Sequence, residues 1–324
     1  MQRILTGIQS TGIPHLGNLL GSIHPALALA KKSPHPALFF IADLHTLTTQ
    51  HHPQKIKHFT YATAAAWLAA GFDTQKDHLY RQSHIPQVCE LTWYLTCFTP
   101  YPMLSNAHAF KDKAKQLSHV TAGLFTYPIL MAADILLYHA THIPVGKDQQ
   151  QHIEITRDIA RTFNHQYGPL LTIPQAQIKQ NVAIIPGTDG RKMSKSYHNT
   201  INIFDPEPTL AKTIMQIKTD STPLNQPKNP DTCPLFNLFQ LLATPTDAQQ
   251  MRTNYLTPGY GYQAAKKELL HLILTTFSEQ RKTFTHYMQA PHLLEKILQA
   301  SEAKVTPIAM KTLSTLRKAI GIRP

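Results

Sequence analysis

The sequence predicts an α/β chain: a doubly wound parallel sheet followed by a smaller, all-helical part. Three features carry that reading. Short, nearly continuous apolar runs alternate with stretches of helical periodicity, as strands covered by helices on both faces require. Gly and polar residues stand just past several of those runs, where a parallel sheet places its ligands. Beyond Asp205 the strand-like runs cease and only helical patterns remain.

The first strand is Arg3-Ile4-Leu5-Thr6-Gly7-Ile8, apolar and bounded by Gly. Gln9 to Gly17 contains Gly12, Pro14 and Gly17 and must turn. From Asn18 onward Leu19, Leu20, Ile23, Leu27 and Ala30 fall at helical spacing. Ala37 to Ala42 is the second strand, ending at Asp43-Leu44-His45. Pro53 opens a helix to about Gly71. His78-Leu79-Tyr80-Arg81 is a weaker third strand, followed by a helix from Pro86 to about Phe98. Thr141 to Val145 is another strand, closed by Gly146.

With 324 residues the chain can bury a large core, and it divides into residues 1–204, 205–300 and a last helix over 301–324. A net charge of +12 implies an acidic partner, most commonly nucleic acid. No apolar run approaches the roughly 18 residues of a spanning helix and no secretory signal is visible, so a cytoplasmic protein is expected. The cysteines Cys89, Cys97 and Cys233 form no C-x-x-C pair and read as reduced, mostly buried thiols. The 19 histidines show no zinc spacing, and no metal-ligating residue is assigned.

Two segments carry the chemistry. Thr11-Gly12-Ile13-Pro14-His15-Leu16-Gly17-Asn18 lies between the first strand and its helix. Arg191-Lys192-Met193-Ser194-Lys195-Ser196 follows Gly187 and Gly190. Together they resemble the HIGH and KMSKS signatures of class I aminoacyl-tRNA synthetases. ATP is densely anionic, and attack on its α-phosphate adds charge to the departing pyrophosphate. Lys192 and Lys195 on a mobile loop meet that charge as it develops, with Ser194 and Ser196 as further donors. A helix N-terminus suits phosphate, Gly17 admits a base or ribose, and His15 can donate to a phosphate oxygen.

The middle of the chain narrows the resemblance. Tyr127-Pro128-Ile129-Leu130-Met131-Ala132-Ala133-Asp134-Ile135-Leu136-Leu137-Tyr138 is similar to the amino-acid-pocket helix of tryptophanyl-tRNA synthetases. Ile143 to His152, Thr156 to Ala160 and Thr6 to Gln9 resemble other blocks of that family. The resemblance implies a Rossmann-like nucleotide-binding domain, ATP as substrate with Mg²⁺ bound to it, L-tryptophan, tRNA(Trp), and a homodimer bridged by the tRNA. An unpaired carboxylate is costly in so apolar a helix, so Asp134 either has an internal partner or accepts from an indole N–H; the resemblance favours the second. It also places Met131, Val145, His45 and Gln149 around tryptophan. Gln9, Ser10, Thr11, His15, Gly17, Asn18, Gly146, Lys147, Asp148, Ile184 and Met193 join the loop residues around ATP, and Lys113 reaches its phosphates.

Departures from the family pattern are Lys147 at a commonly acidic position, Asn106-Ala107-His108-Ala109 where Thr-Gln is common, and Ser10-Thr11 for Pro-Ser. The nearer alternative is a tyrosyl-tRNA synthetase, opposed by the Met131-to-Tyr138 block. The other is a nucleic-acid-binding paralogue without catalysis, opposed by His15, Asn18, Lys192 and Lys195.

Asp205 to Pro234 reads as linker with one helix over about Glu207–Lys218. Helices are expected over Leu235–Leu242, Asp247–Leu256, Tyr262–Met288, Leu293–Ala300 and Val305–Ile320. The family resemblance implies an anticodon-binding bundle here, with Lys266, Lys267, Arg281 and Lys282 available for phosphates. Gly259-Tyr260-Gly261-Tyr262-Gln263-Ala264 fits a dinucleotide fingerprint, but it follows Pro258 rather than a strand and reads as a turn and helix start.

Overall fold

The computed structural model describes residues 3–107, 110–111, 120–146, 149–178 and 185–322. Strands β1 (Leu5–Ile8), β2 (Leu38–Ile41) and β3 (His78–Arg81) form a parallel sheet in that order. Strand β4 (His142–Val145) pairs in parallel with β5 (Gln175–Ile178). Ile4 bridges His142 in parallel and the Arg3 carbonyl accepts from the His142 amide at 3.1 Å, so the strands run β3-β2-β1-β4-β5. The winding reverses between β1 and β4, and the crevice there is the binding position of such sheets. Strand β5 was not expected from the sequence, since Gln-Ala-Gln-Ile carries little apolar signal.

Strand β2 is buried at every position. Phe39 and Ile41 enter one core with Trp67, while Leu38 and Phe40 enter the other with Tyr80. The Phe39 and Trp67 rings meet edge-on at 4.9 Å. Helices therefore cover both faces: α3 (Pro53–Ala69) on one, α4 (Gln87–Cys97), α6 (Ala122–Leu136) and α7 (Gln150–Tyr167) on the other. Short helix α2 (Asp43–Thr46) precedes α3 in the chain, and short helix α5 (Tyr101–Ser105) lies between α4 and α6.

The helix after β1, here α1, starts two residues before the expected Asn18 and is not uniform. It runs Leu16–Asn18, then a π segment Leu19–Ile23, then His24–Lys32. Pro25 has no N–H to continue an α ladder and its ring would strike the carbonyl four residues back. The wider π turn just before it accommodates both demands.

The carboxyl-terminal part is helical: α8 (Glu207–Met215), α9 (Pro234–Leu242), α10 (Pro245–Leu256), α11 (Tyr262–Thr276), α12 (Ser278–Gln289) and α13 (Pro291–Ala319). Two expectations change. The single helix over Tyr262–Met288 is two, because Phe277 leaves helical geometry at φ −103°, ψ 16° and buries its ring. The separate helices Leu293–Ala300 and Val305–Ile320 are one, α13, because Ser301 and Glu302 interrupt the apolar pattern without breaking the backbone.

Glu302 is buried for a reason. Arg81, the last residue of β3, gives it Nε at 2.7 Å and Nη2 at 3.0 Å, and gives Glu295 Nη1 at 2.6 Å. His84 adds a contact to Glu302 at 3.0 Å, and Arg317 pairs with Glu90 on α4. Helix α13 is thereby fixed against the sheet domain. Removing one partner would leave a buried charge uncompensated.

The Gly259–Ala264 segment is a turn leading into α11, as its sequence context implies. The cysteine expectation is corrected: Cys233 is buried, but Cys89 and Cys97 are exposed on α4. Among the described residues no helix is long and apolar enough to cross a membrane.

Candidate active site

The turn after β1 and the loop at 187–199 meet face to face. His15 caps α1: its Nδ1 accepts from the Asn18 amide at 3.3 Å, and Asn18 Oδ1 accepts from the His15 amide at 3.1 Å. With Nδ1 accepting, the neutral ring carries its proton on Nε2 as a donor. Burial, reinforced by the Lys195 charge, lowers the His15 pKa to about 4, so the ring is neutral near pH 7.

Lys195 reaches across to donate to the Gly12 carbonyl at 2.9 Å. Burial pushes its ammonium down to about 8. Met193 is buried and its sulfur lies 3.3 Å from the Gly17 amide. A Cβ on Gly17 would sit 3.0 Å from the His15 ring and 3.3 Å from Met193 Cβ, so a larger residue would push on both neighbours. Lys192 and Ser196 are exposed, and the Ser194 and Ser196 hydroxyls are 2.8 Å apart.

Asn199, which the sequence reading passed over, ties the loop together. It is 1% exposed. Its Oδ1 accepts from the Ser194 amide at 2.8 Å, and its Nδ2 donates to Asp189 Oδ1 at 2.7 Å and to the Lys192 carbonyl at 3.1 Å. Gly187 is a point of close approach: a Cβ there would fall 2.3 Å from the Asn199 side chain.

The second half of the site surrounds Asp134 on α6. This carboxylate is 3% exposed within the apolar helix. His45 Nε2, at the carboxyl end of β2, lies 3.0 Å from Oδ2. Gln82, just past β3, donates Nε2 to Oδ1 at 2.9 Å and to Oδ2 at 2.8 Å. Burial raises the Asp134 pKa, while His45 and Gln82 draw it back. Met131 and Val145 are half-buried, and both pack against the core cluster that contains Asp134's neighbours Ala133 and Ile135. Gln149 Oε1 is 2.8 Å from His152 Nδ1, whose Nε2 meets the Tyr127 hydroxyl at 2.7 Å. Gln82, Tyr127 and His152 were not singled out in the sequence; for Gln82 the signal was its place at a strand end.

Other expected residues divide. Gln9 and Gly146 are exposed and Thr11 is half-buried at strand ends. Ser10 is fully buried, with its hydroxyl 3.1 Å from that of Thr46, so its side chain holds the turn rather than facing the crevice. Lys113, Lys147, Asp148 and Ile184 lie outside the described residues, as do His108 and Ala109. Of the basic residues in the helical part, Lys266 donates to the Met215 carbonyl at 2.9 Å and Arg281 to that of Ile203. Both are structural ties, leaving Lys267 and Lys282 exposed.

A parallel nucleotide-binding sheet with a His-Leu-Gly-Asn turn facing a Lys-Met-Ser-Lys-Ser loop defines a class I aminoacyl-tRNA synthetase. Residues 1–278 match the family described as tRNA synthetases class I (W and Y), and the chain belongs to it. Within it, the chain falls among the tryptophan–tRNA ligases: that of Neisseria meningitidis is 41% identical across 100% of this chain and 98% of its own length. The Pseudomonas aeruginosa enzyme is 42% identical across 99% of this chain and 74% of its own. A crystal structure of tryptophanyl-tRNA synthetase from Campylobacter jejuni, complexed with ADP and tryptophan, superposes with TM-score 0.95 at 40% identity, covering 99% of this chain and 100% of that one.

Proposed function

We propose that the chain activates L-tryptophan with ATP and transfers it to the terminal ribose of tRNA(Trp). The observation that carries the substrate is Asp134: a buried carboxylate in an apolar helix, held by Gln82 and His45 and suited to accept from an indole N–H. The tryptophan carboxylate attacks the α-phosphate, forming tryptophanyl-adenylate and releasing pyrophosphate. Lys192 and Lys195 stabilise the charge that develops on the leaving group, and His15 donates from Nε2. A ribose hydroxyl of the tRNA then attacks the activated carbonyl. Positioning and charge stabilisation carry both steps without a dedicated general base.

Mg²⁺ arrives as part of the nucleotide substrate, held by phosphates and water. Met131, Val145 and Gln149 border the tryptophan; Gln9, Thr11, Gly17, Asn18, Gly146 and the main chain of Ser10 border the nucleotide. Lys113, Lys147, Asp148 and Ile184 join the nucleotide site on the strength of family resemblance. Residues 1–204 form the catalytic domain, 205–300 the anticodon-binding bundle, and 301–324 pack back on the catalytic domain. The enzyme works in the cytoplasm as a homodimer bridged by its tRNA.

Amino-acid-dependent ATP–pyrophosphate exchange tests the proposal. Tryptophan alone should support rapid exchange, with tyrosine and phenylalanine far behind. Asp134→Asn should sharply weaken that preference, because it removes the acceptor's charge and adds donors beside the indole N–H. Preference for tyrosine, or full selectivity in Asp134→Asn, would refute the assignment.

A further inference from the structure

We propose that Gln82 is a specificity-determining residue: it acts through Asp134, holding that carboxylate ionised and turned toward the ring N–H of tryptophan. The inference rests on the function proposed above and names a side chain that its chemistry does not require.

The orientation of the Gln82 amide is fixed on both sides. Its Oε1 accepts from the main-chain amides of Leu44 at 3.2 Å and His45 at 3.3 Å. Its Nε2 donates to both oxygens of Asp134. The flipped amide would set NH₂ against two N–H groups and an oxygen against a carboxylate, so the main chain selects the rotamer that donates to Asp134. Gln82 is 1% exposed, so no water competes for these bonds.

The backbone beneath Gln82 is equally constrained. It opens the short 3₁₀ turn Gln82–His84. On one side Arg81 is clamped by Glu302. On the other, Ser83 donates its amide to Asp43 at 2.9 Å and its hydroxyl to the same carboxylate at 2.5 Å. A glutamine held at its backbone and at its carbonyl presents its NH₂ with little freedom left to lose.

The consequence is selective. Donors to the charged form keep a buried carboxylate ionised, and an ionised acceptor bonds an N–H more strongly than a neutral one. A substrate whose ring carries no N–H gains nothing from this arrangement. Loss of Gln82 should therefore penalise tryptophan and spare a ring-matched analogue. Because the ring contact is present equally before and during reaction, the loss should fall on KM more than on kcat.

The test is pyrophosphate exchange with tryptophan and with β-(benzothiophen-3-yl)-L-alanine, in which sulfur replaces the ring N–H, in wild type, Gln82→Leu and Gln82→Met. In both variants the ratio of kcat/KM for tryptophan to that for the analogue should fall by about tenfold or more, the scale of losing hydrogen bonds to a charged group. Gln82→Met matters because it keeps the length of the side chain and removes the donors. Exchange with the analogue close to the wild-type rate shows that each variant is folded. Equal losses with both substrates, or a ratio like that of the wild type, would assign Gln82 to packing and overturn the inference. Failure of the wild type to exchange with tryptophan overturns the underlying function instead.

Discussion

Lys195 donates its ammonium to the carbonyl oxygen of Gly12 at 2.9 Å, which latches the 187–199 loop to the turn that follows the first strand. Residues 183 positions apart in the chain thereby share one small volume. His15, Gly17 and Met193 pack closely together, and Lys195 lies against Gly12.

Lys192→Ala and Lys195→Ala should each lower adenylate formation by on the order of 10²–10³, the scale of losing a positioned charge donor. The interaction grows toward the transition state, so the loss should appear in kcat while tryptophan affinity holds. Single-turnover rates near wild type in both variants would reduce the loop to a solvated basic turn.

Alkaline pH should weaken the use of ATP. Burial lowers the Lys195 pKa to about 8, so its charge is present below that pH and lost as pH rises through it. In the free enzyme kcat/KM for ATP should decline over that range. Lys195→Arg should remove this limb, since guanidinium does not titrate there. A wild-type profile that stays level well above neutrality would separate Lys195 from ATP capture.

Asn199→Ala should slow activation without touching the tryptophan pocket. It strands the Ser194 amide and the Lys192 carbonyl inside the loop, at a cost of about 1–3 kcal/mol. If the loop's catalytic geometry bears that cost, kcat falls by about tenfold or more. Equilibrium tryptophan binding should be unchanged, and an unaltered kcat would show that the loop holds its shape by other contacts.

Neutralising Lys267 and Lys282 together should weaken tRNA binding while leaving pyrophosphate exchange intact. Both are exposed, whereas Lys266 and Arg281 support the fold and are unsuitable for the experiment. The dependence of affinity on salt should become shallower by about 0.7–0.9 in log–log slope for each phosphate contact removed. An unchanged slope would place the tRNA on another face.

The sequence by itself determined the α/β plan, four of the strands and the two segments that meet at the candidate site. Those signals are local: a buried parallel strand is a short apolar run, and a phosphate site is Gly, Lys and Ser at close spacing. It also marked Asp134, because a carboxylate in an apolar helix is conspicuous. Only the tertiary structure decided what that carboxylate meets, since Gln82 and His45 arrive from the turns that follow β3 and β2 and no local spacing joins them to residue 134. The same holds for Asn199, whose partners lie around a loop without periodicity, and for Glu302, whose burial is explained by Arg81 and His84 over two hundred residues earlier. Even helix limits followed this division. Phe277 ends a helix to bury its ring, and α13 continues through Ser301 and Glu302, because packing rather than local pattern sets the balance at both places.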